Sequence, residues 1–375
     1  MVRAFALPFV VAAIIAAGFA DVQAIAPLAG SAHAPKSVSQ KRSAVPLVDK
    51  HFDYDNLPHK VDTEVGERGP QSGYNDCGPS TAGPGSLCQT AVVDSLADFC
   101  LWGAPVANST VGDTEGEAVA WCTQNTHGAR VIPAGAITGV QFIRTPDYVQ
   151  VTGVINQTLI NYNSDDTGGE LDAWGADFRG NPEGGIVFTN AFASLQGRSG
   201  KHVQSPMWHS FMGSNKFCIK LCDPDRPNAA KYCEHIYDRL GCPYNAPASY
   251  ADGVFETCEG TSQDFPGVYY DSNGKPQQYQ QPPESAGEIT TMPYEPRIPA
   301  TSRCVQFAST AIYPQPTALA PTASTTPAPT AAPEHQERLH VANRSKSGAT
   351  STAISASGAV GLVLLTGTLA LISML

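Results

Sequence analysis

No lysine or arginine follows the hydrophobic run Ala359–Leu375 that closes the chain; the last basic residue is Lys346. A retained membrane span needs about 20 apolar residues and positive charge on its cytoplasmic side. This run is short and is interrupted by Gly361 and Gly367, which argues against such a span. Basic residues are scarce throughout, with 23 Lys and Arg against 34 Asp and Glu, a net charge of −11 and a pI near 5.2. That balance excludes nucleic acid and anionic lipid head groups as electrostatic partners. The sequence also lacks a GxSxG nucleophile elbow, an HExxH zinc helix and a P-loop, so the common hydrolase and nucleotide-binding chemistries have no signature here. There is no fixed-period repeat and hence no solenoid.

The two ends of the chain carry processing signals. Small residues Ser347-Gly348-Ala349, the polar spacer Thr350–Gly358 and the apolar tail form the layout of a glycosylphosphatidylinositol (GPI) attachment signal. The reading places the lipid on Ser347, removes residues 348–375 and tethers the protein to the outer leaflet. At the other end, Arg3 and the apolar stretch Ala4–Phe19 lead to small-residue cleavage sites at Ala20 and Val22-Gln23-Ala24, giving a signal peptide over residues 1–24. Residues 25–42 close on Lys41-Arg42, either a pro-segment cut by a kexin-like protease or a solvated basic pair on an arm. The segment Pro314–Pro333 is almost entirely Pro, Thr, Ser and Ala; it cannot bury enough apolar surface to offset chain entropy. Residues 309–347 therefore read as a disordered, O-glycosylated stalk.

The body between these ends divides into a β-rich part, residues 43–205, and a cysteine-rich part, residues 206–308. Its ten cysteines are Cys77, Cys88, Cys100, Cys122, Cys218, Cys222, Cys233, Cys242, Cys258 and Cys304. An even set in a secreted chain implies a disulfide framework, with the pairing left open. Zinc is disfavoured because paired CxxC or HxxxH spacing is missing. Asn108, Asn156 and Asn343 head N-glycosylation sequons. Asn156 lies in a strand-like run and must point to solvent if modified.

The fold class expected is β-rich α+β, a disulfide-stabilised body with two short helices. Apolar spacing and Ser86 as a cap predict a helix over Ser86–Trp102, and Asn228–Leu240 reads as an amphipathic helix stopped by Gly241. Strands are expected at 117–122, within 135–162 and at 186–189. In Lys216–Leu221, Phe217, Ile219 and Leu221 alternate with Cys218, which with Cys222 should face the opposite side. The Tyr-, Gln- and Pro-rich remainder through Cys304 reads as ordered loop.

Chemistry is sought first in the acidic, Gly-rich stretch Asp165–Gly185. Asp165, Asp166, Glu170, Asp172 and Asp177 could chelate calcium or hold sugar hydroxyls, with Trp174 stacking on a sugar face. Calcium is the one cofactor the sequence suggests, although the spacing is not that of an EF-hand. Asp165, Asp172 and Asp177 could also run glycoside hydrolysis; the bland reading is a solvated acidic loop. His235 reads as a packing histidine, and the Met207-Trp208-His209 segment as a cover for the cysteine-rich part. The cysteine count and spacing fit an eight-cysteine haem or metal scavenger poorly.

Several segments together resemble a known family: YNDCG at 74–78, CQTAVVDSLADFCLWGAP, GELDAWGADFRGNPEGG, WHSFMGSNKFCIKLC, AAKYCEHIYDRLGCPYN and YADGVFETCEG. The chain is similar to the basidiomycete macrophage-activating glycoproteins, secreted, GPI-anchored and heavily mannosylated surface proteins whose cryptococcal members are immunoreactive mannoproteins. The resemblance covers roughly residues 70–308. It departs at Ala173-Trp174, where the family pattern has a Pro-His pair. It implies the ten-cysteine framework, an extracellular, membrane- or wall-anchored layout and no catalytic residues. Wall polysaccharide or host receptors are the partners it suggests. A carbohydrate-binding module for wall glucan or mannan is the alternative.

Overall fold

The computed structural model describes residues 45–197 and 200–313. The signal peptide, the pro-segment, Asn343, Ser347, the anchor signal and the stalk from Pro314 onward lie outside them. Strands appear wherever β-branched and aromatic residues cluster between Gly, Pro, Asn and Asp. In chain order they are β1 (Val65–Gly66), β2 (Gly69–Pro70), β3 (Thr90–Ser95), β4 (Asp98–Gly103), β5 (Val119–Cys122), β6 (Arg130–Val131), β7 (Ile137–Arg144) and β8 (Tyr148–Ile155). They continue as β9 (Gly169–Asp172), β10 (Ile186–Thr189), β11 (Val203–Ser205), β12 (Met207–Gly213), β13 (Lys216–Cys222), β14 (Phe255–Gly260), β15 (Val268–Tyr270), β16 (Pro276–Gln278) and β17 (Thr301–Gln306). The α-helices among the described residues are three single turns, α1 (Val111–Thr114), α2 (Ala229–Tyr232) and α3 (Cys242–Asn245). The body is strand-rich, as the sequence indicated, with one helix more than expected.

Two sheets dominate. One has six strands in the order β11-β10-β3-β4-β5-β6, the other seven in the order β17-β14-β7-β8-β13-β12-β9. A single apolar core joins residues of both: Phe99 stacks on Phe217 at 6.2 Å and Trp102 lies 5.6 Å from Trp208. Alternation along β13 sends Phe217, Ile219 and Leu221 into that core, while Cys218 and Cys222 belong to separate clusters on the opposite face, as their spacing predicted. Segment 229–245, carrying α2 and α3, lies over this second face. It is tied there by Cys218–Cys242 and Cys222–Cys233. The other bridges are Cys77–Cys88, Cys100–Cys122 and Cys258–Cys304, and no cysteine is free.

Four expectations need correction. The helix over Ser86–Trp102 is the β3–β4 hairpin instead, its turn closed by the Asp98 N–H donating to Ser95 Oγ at 3.1 Å. Consecutive residues Ala91–Val93 and Phe99–Trp102 are all buried, which a central strand covered on both faces allows and a one-sided surface helix does not. The helix over Asn228–Leu240 stops at Tyr232, where the backbone leaves helical geometry at Cys233, the residue bonded to Cys222. The division between residues 205 and 206 does not separate two sheets. β7, β8 and β9 from one side pair with β12, β13, β14 and β17 from the other. Finally, Ser309–Ile312, placed in the stalk, form a 3-10 turn with Ile312 fully buried, and the Tyr313 hydroxyl donates to the Ile137 carbonyl at 3.2 Å. The packed body thus runs through Tyr313.

Candidate functional site

The acidic stretch is not one site. Asp165 is exposed on its loop, while the Asp166 carboxylate accepts from the backbone N–H of Val111 at 2.8 Å and Gly168 at 2.9 Å. Asp177 accepts from Arg68 Nε at 3.2 Å, beside a buried network in which Arg179 donates to Asp62 at 2.7 Å and Glu183 at 3.0 Å. The Arg68 guanidinium holds the Asp177 carboxyl below the usual range against the opposing effect of burial. Asp172 Oδ1 caps the following turn, accepting from the N–H groups of Trp174 at 2.6 Å and Gly175 at 2.9 Å. The three carboxylates considered for hydrolysis therefore do separate jobs. Among the described residues, the cluster whose metal-donor atoms lie within 4.8 Å of one another is Glu256, Cys258 and Cys304, and its two sulfurs already form a disulfide.

A different grouping emerges on the second face of the seven-stranded sheet. Register places Glu170 opposite Phe211, Asp172 opposite His209, His209 opposite Lys220, and Lys220 opposite Gln150. All these polar side chains are buried beneath the 229–245 cover. Glu170 Oε1 lies 3.9 Å from His209 Nδ1, and neither Glu170 oxygen has a hydrogen-bond partner. His209 Nδ1–H donates to the Glu234 carbonyl at 3.1 Å, which leaves Nε2 as an unpartnered acceptor. Lys220 Nζ donates to the Asn245 carbonyl and to Gln263 Oε1 at 2.6 Å, 5.1 Å from the Tyr148 ring centre, with no carboxylate in ion-pair reach. Gln150 Oε1, Thr152 Oγ1 and Asn245 Oδ1 are unpartnered in the same layer.

Burial governs the electrostatics. It raises the Glu170 carboxyl well above its ordinary range, reinforced by Asp172, Asp238 and Glu234. Burial likewise lowers His209 and Lys220 well below theirs. Half-buried Glu115 is raised by burial and by Asp172 and Asp238, with Arg68 opposing. Asp172 is raised by burial despite its two backbone donors. Perturbed carboxyls gathered in one place are what a binding or catalytic site requires. The structural alternative is a polar layer satisfied by ordered water.

Trp174 flanks this group, half-buried, stacked on His235 at 5.2 Å and edge-on to Phe178 at 5.9 Å. Of the residues proposed from sequence, the structure gathers Glu170, Asp172 and Trp174 and separates Asp165, Asp166 and Asp177 from them. Glu115, Lys220, Glu234 and Asp238 were missed as site residues. The signal for Lys220 was present: one cation at the cysteine phase of an otherwise apolar FCIKLC strand. Both described sequons are accessible. Asn108 is exposed, and exposed Asn156 follows β8, its Oδ1 accepting from the Thr158 N–H at 3.2 Å.

Similarity to known proteins decides the family. Appressorium protein ROW2 of Mycosarcoma maydis is 41% identical over 255 residues, covering 66% of this chain and 83% of ROW2. The chain belongs to the appressorium protein family. ROW1 of the same fungus is 46% identical over 246 residues, 64% of this chain, and the chain spans about half of that longer relative, 54%. No family model matches the chain, and no solved structure does. These relatives carry the appressorium name rather than that of the macrophage-activating glycoproteins; what the earlier resemblance shares with them is a fungal origin.

Proposed function

We propose that this appressorium-family protein is an extracellular glycoprotein, GPI-anchored to the plasma membrane or cell wall, mannosylated on its stalk, and acting in contacts at the fungal surface during infection. The observation that carries the reading is the pairing of all ten cysteines into five bridges, which fits folding in an oxidising secretory compartment. The names of the relatives add the infection structure. Exposed Asn108 and Asn156 are accessible to glycans, and immunoreactivity of the kind seen in mannoproteins follows from such a coat. The role is adhesion or recognition, with wall polysaccharide or host receptors as partners.

Phosphatidylinositol-specific phospholipase C treatment of intact cells, followed by mass spectrometry of the released protein, tests this reading. Release of a chain that begins after residue 24 and ends near Ser347 with a lipid remnant is the expected outcome. A chain that stays with the membrane and retains its last residues overturns it.

A second reading, carbohydrate binding, is favoured by the unpaired carboxyls next to Trp174. A glycan array that shows no ligand for the intact protein removes it.

A further inference from the structure

Beside the buried carboxyls, a cleft of about 650 Å³ opens between the β9–β12 edge and residues 238–243 and 288–289. Its walls include Gly169, Phe211, Asp238, Arg239 and Glu288. Glu170 follows Gly169 directly and pairs in register with Phe211, so its side chain emerges on the sheet face that forms this wall. That side chain is 3% exposed and both of its oxygens are unpartnered. Asp238 stands exposed in the opposite wall, and its charge acts on both Glu170 and Glu115.

The group lacks a cation. Glu115, Glu170, Asp172, Glu234 and Asp238 all fall within one another's field, and none forms an ion pair with Lys or Arg. Arg68 is held by Asp177 and Glu183. Lys220 is used by carbonyl oxygens, and Arg239 donates to the carbonyls of Pro282, Pro283 and Gly287. Lys216 is the one other cation in the cleft wall and is outnumbered by the carboxyls. A buried carboxylate is stable only when paired or hydrogen-bonded, so an incoming positive charge would be strongly favoured. A metal ion requires ligand atoms converging at about 2.3–2.6 Å, and these carboxyls do not meet even the 4.8 Å grouping. An organic ammonium, which bridges longer spans by hydrogen bonds, fits instead. The cleft has the volume of a small-molecule site and backbone exposed at Gly168, Gly169, Gly213 and Gly241, suited to a few hydroxyl-bearing rings rather than a long peptide.

We propose that this cleft binds a saccharide with free primary amines, an oligomer of amino sugar, with Glu170 and Asp238 as the carboxylates that receive its ammonium groups. The proposal rests on the carbohydrate-binding reading and moves the site from the outer face of Trp174 to the β9–β12 edge.

The test is calorimetric titration of the purified full-length protein, at a pH that keeps the sugar amines protonated, with four probes: a glucosamine tetramer, its fully N-acetylated form, a neutral glucose tetramer and spermidine. The glucosamine tetramer should bind at least about tenfold more tightly than the other three. Glu170→Gln and Asp238→Asn should each weaken it about tenfold, the loss of one charge-assisted contact. Thermal melting shows whether Glu170→Gln keeps its fold, and exposed Asp238 provides a variant that does not depend on that. Equal binding of the acetylated tetramer, equal binding of spermidine, or unchanged affinity in both variants overturns the proposal. Binding of the neutral tetramer alone sinks it while leaving carbohydrate recognition standing. Absence of any saccharide ligand removes both.

Discussion

The two faces of the seven-stranded sheet are built from the same strands and behave as different materials. The inner face presents Val149, Val151, Trp208, Met212, Phe217, Ile219 and Leu221 to the six-stranded sheet, in one core joined across both sheets by stacked aromatics. The outer face, one residue out of phase, presents Gln150, Thr152, Glu170, His209 and Lys220 to a cover of short turns held by two disulfides. Burial is nearly complete on both sides, so burial alone does not distinguish them. Chemistry does. The inner face needs no partner beyond close packing, whereas every polar atom on the outer face needs a hydrogen bond and several lack one. The inner face holds the fold together; the outer one keeps reactive groups dry.

The largest expected effect breaks the inner face. Phe217→Ala removes the ring that stacks on Phe99 and should destabilise by about 3–5 kcal/mol, read by denaturant unfolding. A loss under about 1 kcal/mol would show that the two sheets are not held by this contact.

Next come the bridges that hold the cover. Replacing Cys222 and Cys233 together by Ser should cost about 2–4 kcal/mol. The signature that sharpens the comparison is faster amide exchange in residues 229–245 than in β3–β5. Removing Cys258–Cys304, which joins β14 to the fully exposed edge strand β17, should leave exchange in that cover unchanged.

A third effect is pH-dependent and confined to the outer face. Glu170 binds its proton more tightly folded than unfolded, so its contribution is intact below about pH 4.5 and is lost as pH rises through the raised folded value. His209 runs the other way. Its contribution is intact above about pH 6.5 and is lost as pH falls toward the lowered folded value. Glu170→Gln should therefore raise the melting temperature at pH 7 by about 2–4 °C or more, the shift given by 1 kcal/mol in a domain of this size, and change it little at pH 4. An equal shift at both pH values would place the effect in packing rather than in charge.

The smallest effect lies at the margin of the site. Trp174→Ala leaves His235 without its stacking partner and should cost about 1 kcal/mol or less. Thermal melting checks this, and a much larger loss would make Trp174 a core residue rather than a flank.

Much of the inner face was legible in advance. The phase of Phe217, Ile219 and Leu221 follows from the two-residue period of a strand, and the β-branched runs of β7, β8 and β10 mark themselves. The β3–β4 hairpin was not legible, because leucine, valine and phenylalanine spaced for one helical face also satisfy a strand buried on both sides. The site was half legible. Glu170, Asp172 and Trp174 stand close in sequence, but Glu115, His209, Lys220, Glu234 and Asp238 come from segments that meet only across the sheet.

The chain by itself determined an acidic, cysteine-paired body with processing signals at its two ends, because composition, charge and terminal hydrophobic runs are local properties. Tertiary structure decided which cysteines join, which carboxyls are left without a cation and where a cleft opens beside them. Those outcomes depend on strand order and register, which bring residues up to about a hundred positions apart within a few ångströms and which no local pattern encodes.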